Sequence, residues 1–403
     1  MIERSNYIER LKPVRDKQII KILTGVRRCG KSTILEMFRE ILVAEGVEKK
    51  RIQEYNFEDL SNEELKDYHK LHETIVSRLV PNKMNYIFLD EIQLVSDFEK
   101  VLDSLFIRKH VDLYVTGSNA QMLSGELATL IAGRYIEIEV YPLSFAEYYF
   151  HVKRETENAD KIQLFERYLN YGGFPFGVQI ADDKTYKDYI DGVINTVLVK
   201  DVLARKKLSD ATLVKQMAAF LTDVSGNLVT VKKIADTLTS MGQKTTSDTV
   251  LSYLNGLCEA FLFYKCDRFD VSGKRYLSVN SKFYTVDQAL WRSLLGSKRP
   301  NIGSRLETVI YIELLRRGYE VFVGVVGKRE VDFVAKRDGV TLYIQVSASV
   351  VEESTYFREV SSLKEIKDHY RKILLTMDLG SYNDDGIGQI NIIDWLLEPY
   401  YPL

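Results

Sequence analysis

Between Gln18 and Gly46 the chain reads QIIKILTGVRRCGKSTILEMFREILVAEG. An apolar run with the length of a buried strand comes first. A glycine-bounded turn follows, and then a segment with Ile34, Leu35, Phe38, Ile41 and Leu42 at helical spacing. The turn, Gly25-Val26-Arg27-Arg28-Cys29-Gly30-Lys31-Ser32-Thr33, has the glycine, lysine and serine positions of a phosphate-binding loop. Glycines let the backbone come close to an anion, and the N–H groups of the turn and of the helix start face it. Lys31 is placed to reach the β- and γ-phosphates, and the Ser32 hydroxyl to ligate Mg²⁺. Strand, turn and helix in this order predict a nucleotide-binding unit in an α/β sheet, with ATP and Mg²⁺ as its ligands.

Such a loop needs an acidic strand end beside it. YIFLDE, Tyr86 to Glu91, is an apolar run closing in two acids, and Asp90 lies 59 residues beyond Lys31. Asp90 is expected to hold Mg²⁺ through water and Glu91 to polarise the attacking water. A third strand, in VDLYVTGSNA, ends in Thr116, Ser118 and Asn119. These side chains either reach the γ-phosphate and lytic water or are ordinary turn residues. Arg134 precedes an alternating strand, Tyr135 to Val140. It reads either as an arginine finger for the γ-phosphate of a neighbouring subunit or as a surface arginine with an acidic neighbour.

The 403 residues suffice for two to four domains. With 7 prolines and no low-complexity tract, those domains should join by short connections. The first residues are charged, unlike a signal peptide, and no run has the length of a membrane span. The three cysteines form no CxxC pair and the five histidines no HExxH. The expectation is a cytoplasmic protein without structural zinc and without membrane contact. Net charge is −2, so any nucleic-acid partner requires a local basic patch.

ILTGVRRCGKSTIL, YIFLDEIQ, YVTGSNAQMLSGELATLIAGRYIEIEVYPLSFAEY and YLNYGGFPFGV together resemble a bacterial and archaeal family of AAA-type P-loop ATPases whose C-terminal region is a domain of unknown function. The resemblance covers nearly the whole chain. It places Lys31 and Ser32 in Walker A, Asp90 and Glu91 in Walker B, and Thr116 to Asn119 in the sensor region. Arg134 falls in the Gly-Arg pair before the last core strand. It implies a five-stranded parallel sheet between helices over residues 1–150, and brings no defined biological role.

Residues 151–205 read as a helical connector or lid around YGGFPFG, a tight turn whose structural role is the simpler reading. Residues 206–287 read as three helices, one capped by Thr230, and a hairpin turning at Ser272-Gly273. That is a winged-helix pattern with the third helix as recognition helix. Between Arg205 and Lys282 stand twelve basic and seven acidic residues. Arg205, Lys206, Lys207, Lys232, Lys233, Lys244, Lys274 and Arg275 are candidate DNA phosphate contacts. A protein–protein module of the same pattern is the alternative.

Residues 288–403 follow the order helix, strand, strand, strand, helix, strand, with Glu307 on the helix and Asp332 on the second strand. A PD-(D/E)xK nuclease would continue with a carboxylate and a lysine on the third strand. Here Gln345 and Ser347 stand there, so a nuclease-like α/β fold without cleavage is expected. Glu307 and Asp332 then read as surface or capping acids, and a lysine arriving from elsewhere, such as Lys328 or Lys336, is the weak point. The leading expectation is a Mg²⁺-dependent ATPase, forming a nucleotide-dependent homo-oligomer if Arg134 acts in trans. Its nucleotide state would change how the later domains engage DNA or a protein. An ATP-regulated nuclease and a nucleotide-gated protein-interaction module are the alternatives.

Overall fold

The P-loop segment folds as the sequence requires in a computed structural model, which describes residues 2–120, 133–156, 159–204, 210–296, 301–380 and 382–398. The elements run α1 (Ser5–Leu11), β1 (Ile20–Thr24), α2 (Lys31–Ala44), β2 (Ile52–Asn56), α3 (Tyr68–Ser77), β3 (Asn85–Asp90), α4 (Phe98–Phe106), β4 (Val111–Thr116) and β5 (Tyr135–Glu139). Every pairing is parallel, in the order β2-β3-β4-β1-β5. β1, β3 and β4 are buried along their whole length, which is why they read as continuous apolar runs. Their side chains pack with Leu71 and Ile75 of α3 and Val101, Leu102 and Leu105 of α4 into one core.

Lys21 breaks the apolar run of β1, and the fold answers it locally. Its fully buried ammonium pairs with Asp112 of β4, and Asp112 also accepts from Tyr114 Oη (2.8 Å) and Asp16 N (2.9 Å). A buried charge is tolerable here because it is paired and its carboxylate partner is hydrogen-bonded as well.

Contacts divide the chain into two units, Met1–Val140 with Glu259–Phe261, and Tyr141–Cys258 with Leu262 onward. The second unit contains α5 (Phe145–Glu155), α6 (Lys161–Tyr171), α7 (Asp183–Thr196), α8 (Ala211–Asp223), α9 (Val231–Ser240), α10 (Ser247–Glu259) except its last residue, β6 (Phe263–Asp270), β7 (Arg275–Thr285), α11 (Ala289–Leu295) and α12 (Ile302–Arg316). β8 (Glu320–Val326), β9 (Arg329–Arg337), β10 (Val340–Ser347), α13 (Glu353–Lys364), β11 (Arg371–Thr376), β12 (Tyr382–Asp384), β13 (Ile387–Asn391) and α14 (Ile392–Leu397) complete it.

The expected helices and hairpin are present, and Thr230 caps α9 by accepting from Lys233 N (3.0 Å). The hairpin differs from a free wing. β6 pairs parallel with β8, so β6 and β7 extend one sheet of order β12-β13-β11-β10-β9-β8-β6-β7. No boundary at 287/288 separates the hairpin from the strands after it, because those backbone hydrogen bonds cross it.

The same topology scatters the basic residues. Val229 bridges Ser281, so exposed Lys232 and Lys233 open α9 beside the middle of β7. Arg275 opens β7 six residues from Ser281, roughly 20 Å at strand rise, and Lys274 directly precedes it. Arg275 is already paired with Asp270 (3.2 Å). Lys244 is exposed on the α9–α10 connection. The outward residues of α10, Ser247, Asp248, Leu251, Ser252 and Asn255, include one acid and no base, so the expected recognition helix lacks the charge DNA requires. Arg205, Lys206 and Lys207 lie outside the described residues.

YGGFPFG proves to be a packing joint. Gly172 ends α6 at φ +75°, ψ −167°, and a Cβ there would stand 1.8 Å from Asp287 Oδ1. A Cβ on Gly173 would stand 2.3 Å from Leu143 O. Asp287, wholly buried after β7, accepts from Gly173 N (2.7 Å) and Ala289 N (2.8 Å). Only glycine admits both approaches. Among the described residues, no helix is long and apolar enough to cross a membrane.

Candidate functional site

Sheet order assembles the site in the first unit. β4 lies between β1 and β3, so the ends of all three strands converge beside the start of α2. Gly25 takes φ +136°, and a Cβ on it would stand 2.1 Å from Val140 O. Arg28 and Gly30 also take left-handed φ, +68° and +104°, which turns the loop tightly onto the helix start. Val26 and Cys29 are buried and anchor the loop from beneath. Burial pushes the Cys29 thiol above its usual range, so it packs and does not react. Arg27 is buried against Glu58, whereas Arg28 is exposed.

Lys31 folds back into its own loop. Its ammonium donates to Gly25 O (2.9 Å) and Val26 O (3.2 Å) and stands 3.8 Å from Glu91 Oε1. Glu91 holds a left-handed φ of +55°, an uncommon conformation outside glycine that fixes where its carboxylate points. Its N–H donates to Thr116 Oγ1 (2.9 Å), and its other carboxylate oxygen accepts from Gln93 Nε2, which also reaches Ser118 Oγ (3.3 Å). Burial pushes the Glu91 carboxyl up, but Lys31 and Arg27 outweigh it, so the group lies below the usual range and is ionised at neutral pH. Asp90 shows the opposite balance: burial raises it, against hydrogen bonds from Thr116 and Ser32.

Ser32 and Asp90 therefore lie side by side, Ser32 in the first turn of α2 with Thr33 next along it. A hydroxyl and a carboxylate beside a phosphate-binding loop are hard oxygen donors and fit Mg²⁺. Asn119 is buried at the end of the same β4 segment. Arg134 lies elsewhere. Its carbonyl accepts from Ile20 N (2.8 Å) at the start of β1, four residues or roughly 13 Å from the end that carries the loop. Its guanidinium pairs with Asp103 and lies over the Phe106 ring, on edge strand β5. It is therefore far from its own P-loop. Thr116 and Ser118 do meet Asp90, Glu91 and Gln93. The sequence left Gln93 and Glu58, the partner of Arg27, without roles. Gln93 stood in DEIQ, directly after the acids, and that adjacency was its signal.

A parallel sheet of this order with a P-loop after β1 and acids after β3 defines an AAA-type P-loop domain. A family model described as an AAA domain matches residues 17–149, and one described as a domain of unknown function (DUF8612) matches residues 162–301. The chain belongs to the same family as an uncharacterized protein of Haemophilus influenzae, with 39% identity over 99% of each chain. An uncharacterized protein of Methanocaldococcus jannaschii is 28% identical over 93% of this chain and 85% of its own. Among solved structures, a Walker-type ATPase of Pyrococcus abyssi shares the fold, with TM-score 0.53 and 16% identity over 73% of this chain and 96% of its own.

The acids of the second unit form a second cluster. Glu307 and Asp332, expected at the surface or in caps, are half-buried and buried respectively, and line with Gln345 and Ser347 a cleft of about 680 Å³. Elements on either side of the cleft bring them together, α12 supplying Glu307 and the adjacent strands β9 and β10 the rest. Lys336 does not join them. Its ammonium lies 3.4 Å from the Phe269 ring centre, beside Tyr276 and Phe322, and Lys328 is exposed in the β8–β9 turn. The lysine that does join them is Lys282 of β7.

Proposed function

We propose that the first unit binds ATP with Mg²⁺ and hydrolyses it, and that the nucleotide state acts on the second unit. The observation that carries this is the sharing of Lys31. Its ammonium is held by two loop carbonyls and by Glu91, the residue proposed to polarise the lytic water. Phosphates entering the loop would draw the ammonium to themselves and release the Glu91 carboxylate for a water. Backbone N–H groups of Val26 to Ser32 would cradle the phosphates. Ser32 and Asp90 would hold Mg²⁺, which supplies charge neutralisation between the phosphates. Thr116 holds both acids of β3 in place, while Gln93 and Ser118 fix the rotation of the Glu91 carboxylate. Lys31→Ala tests the reading by ATP titration and phosphate release: affinity and turnover should both collapse. Retained tight binding would place the nucleotide elsewhere.

Nucleic-acid contact by the second unit is the second reading, favoured by Lys232 and Lys233 alone, exposed side by side at the start of α9. Two phosphates give a log–log salt slope of about −1.8, a weak and sequence-independent interaction. The outward residues of α10, with one acid, one leucine and no base, suit a protein partner better.

A further inference from the structure

We infer that the Lys282 ammonium is the built-in cation of the α12–β9–β10 cleft, standing where a pair of facing carboxylates would otherwise take a divalent metal ion. Lys282 enters from β7 and its side chain is 3% exposed. Its Nζ lies 2.7 Å from Glu330 Oε1, 3.3 Å from Glu307 Oε2 and 3.9 Å from Asp332 Oδ1. Three carboxylates from two different elements thus converge on one ammonium. A Mg²⁺ bridging Glu307 and Asp332 would need oxygens at about 2.1 Å. On the side of the acids that Lys282 faces, it would occupy the space the ammonium fills, and two cations repel there.

Each of the two acids also accepts a further hydrogen bond. Asp332 Oδ2 accepts from Val346 N (2.8 Å), and Glu307 Oε2 accepts from Tyr284 Oη (3.2 Å). Gln345 is a bridge, accepting from Asp332 N (3.2 Å) and donating to Glu359 Oε2 (2.9 Å). Among the described residues, no group of His, Cys, Asp and Glu is arranged to hold a metal ion. Burial pushes Glu307 and Asp332 upward, and the ammonium between them favours their charged forms. The cleft has the acids of a metal site and a side chain in the metal's place, so it neither loads Mg²⁺ nor cuts nucleic acid. This holds whether or not the first unit hydrolyses ATP.

The test is Mn²⁺ titration by electron paramagnetic resonance, without nucleotide, with Asp90→Asn in every chain to silence the P-loop. The chain retaining Lys282 should bind no Mn²⁺ that Asp332→Asn removes. Lys282→Met should gain one ion, roughly tenfold or more tighter than that background, and lose it again with Asp332→Asn. A folded Lys282→Met chain that gains nothing overturns the inference, as does Mn²⁺ in the Lys282 chain that disappears with Asp332→Asn. Circular dichroism checks folding. Should Lys282→Met not fold, Lys282→Arg keeps the cation and must stay free of Mn²⁺; Mn²⁺ bound by it and lost with Asp332→Asn also overturns the inference.

Discussion

Glu91→Gln should separate binding from chemistry in a direction the geometry dictates. The substitution is nearly isosteric, keeps an oxygen for Gln93 and leaves the left-handed backbone at Glu91 in place. It removes the charge 3.8 Å from the Lys31 ammonium, in a site where both side chains are under 10% exposed. At an effective dielectric of 20 that attraction is about 4 kcal/mol before desolvation is subtracted. If a quarter of it survives as a cost of freeing Lys31 for phosphate, ATP should bind the variant roughly fivefold more tightly. Turnover should fall by about 10²-fold or more, as expected when a general base is lost. Calorimetric ATP titration and single-turnover phosphate release read the two effects separately. Turnover within threefold of wild type would remove Glu91 from catalysis. Weakened ATP binding with lost turnover would refute the competition for Lys31 and make Glu91 part of the nucleotide pocket.

Arg134→Ala should leave ATP affinity unchanged, since Arg134 lies at the far end of β1. It should lower turnover only at concentrations where the chain self-associates; an unchanged rate there returns Arg134 to a surface ion pair with Asp103. Gly172→Ala should destabilise the second unit by about 2 kcal/mol or more, through a disallowed φ and collision with Asp287. Both tryptophans, Trp291 and Trp395, belong to that unit, so denaturant titration followed by tryptophan emission reads it alone, and a loss below 0.5 kcal/mol would refute the packing joint. Burial pushes Asp287 up to about 7, against the two N–H groups it accepts from. The folded state therefore binds its proton more tightly than the unfolded chain does. Stability relative to Asp287→Asn should be greatest below about pH 4 and fall until about pH 7, by up to roughly 4 kcal/mol; a flat difference across that range would contradict it. Lys232→Glu with Lys233→Glu should abolish the salt dependence of DNA binding, and Lys274→Glu with Arg275→Glu should leave it intact. The reverse pattern would put DNA at the hairpin tip.

The P-loop and its acids were legible because that chemistry is local. Gly25, Gly30, Lys31 and Ser32 sit within eight residues, and Asp90 with Glu91 closes one strand, so spacing and apolar runs suffice. Gln93 was half legible, since its neighbours named the place but not the bond. Arg134 could be located in the order of elements, yet its distance from the loop comes only from parallel pairing of β5 with β1. YGGFPFG announced a turn and hid its reason, because Asp287 lies more than a hundred residues further on.

Lys282 and Lys336 show where sequence reasoning stops. Each is a lysine in a strand, and the neighbouring sequence points to the wrong one. The sheet decides. A hairpin read as the wing of a separate domain instead continues the sheet through β6 and β8, which carries Lys282 across an expected boundary to Glu307, Glu330 and Asp332. Lys336, inside the strand that also bears Asp332, turns onto Phe269, Tyr276 and Phe322 instead. Four residues separate Asp332 from Lys336, an even number that would keep both on one face of an unbroken strand. Sequence proximity therefore favoured Lys336. The strand is not unbroken: its pairing with β8 shifts between Val331 and Val334, and past that irregularity Lys336 lies with Val334 on the face of Phe269 and Phe322, away from the acids. The cation that matters to the acids is the one whose strand the topology folds back beside them.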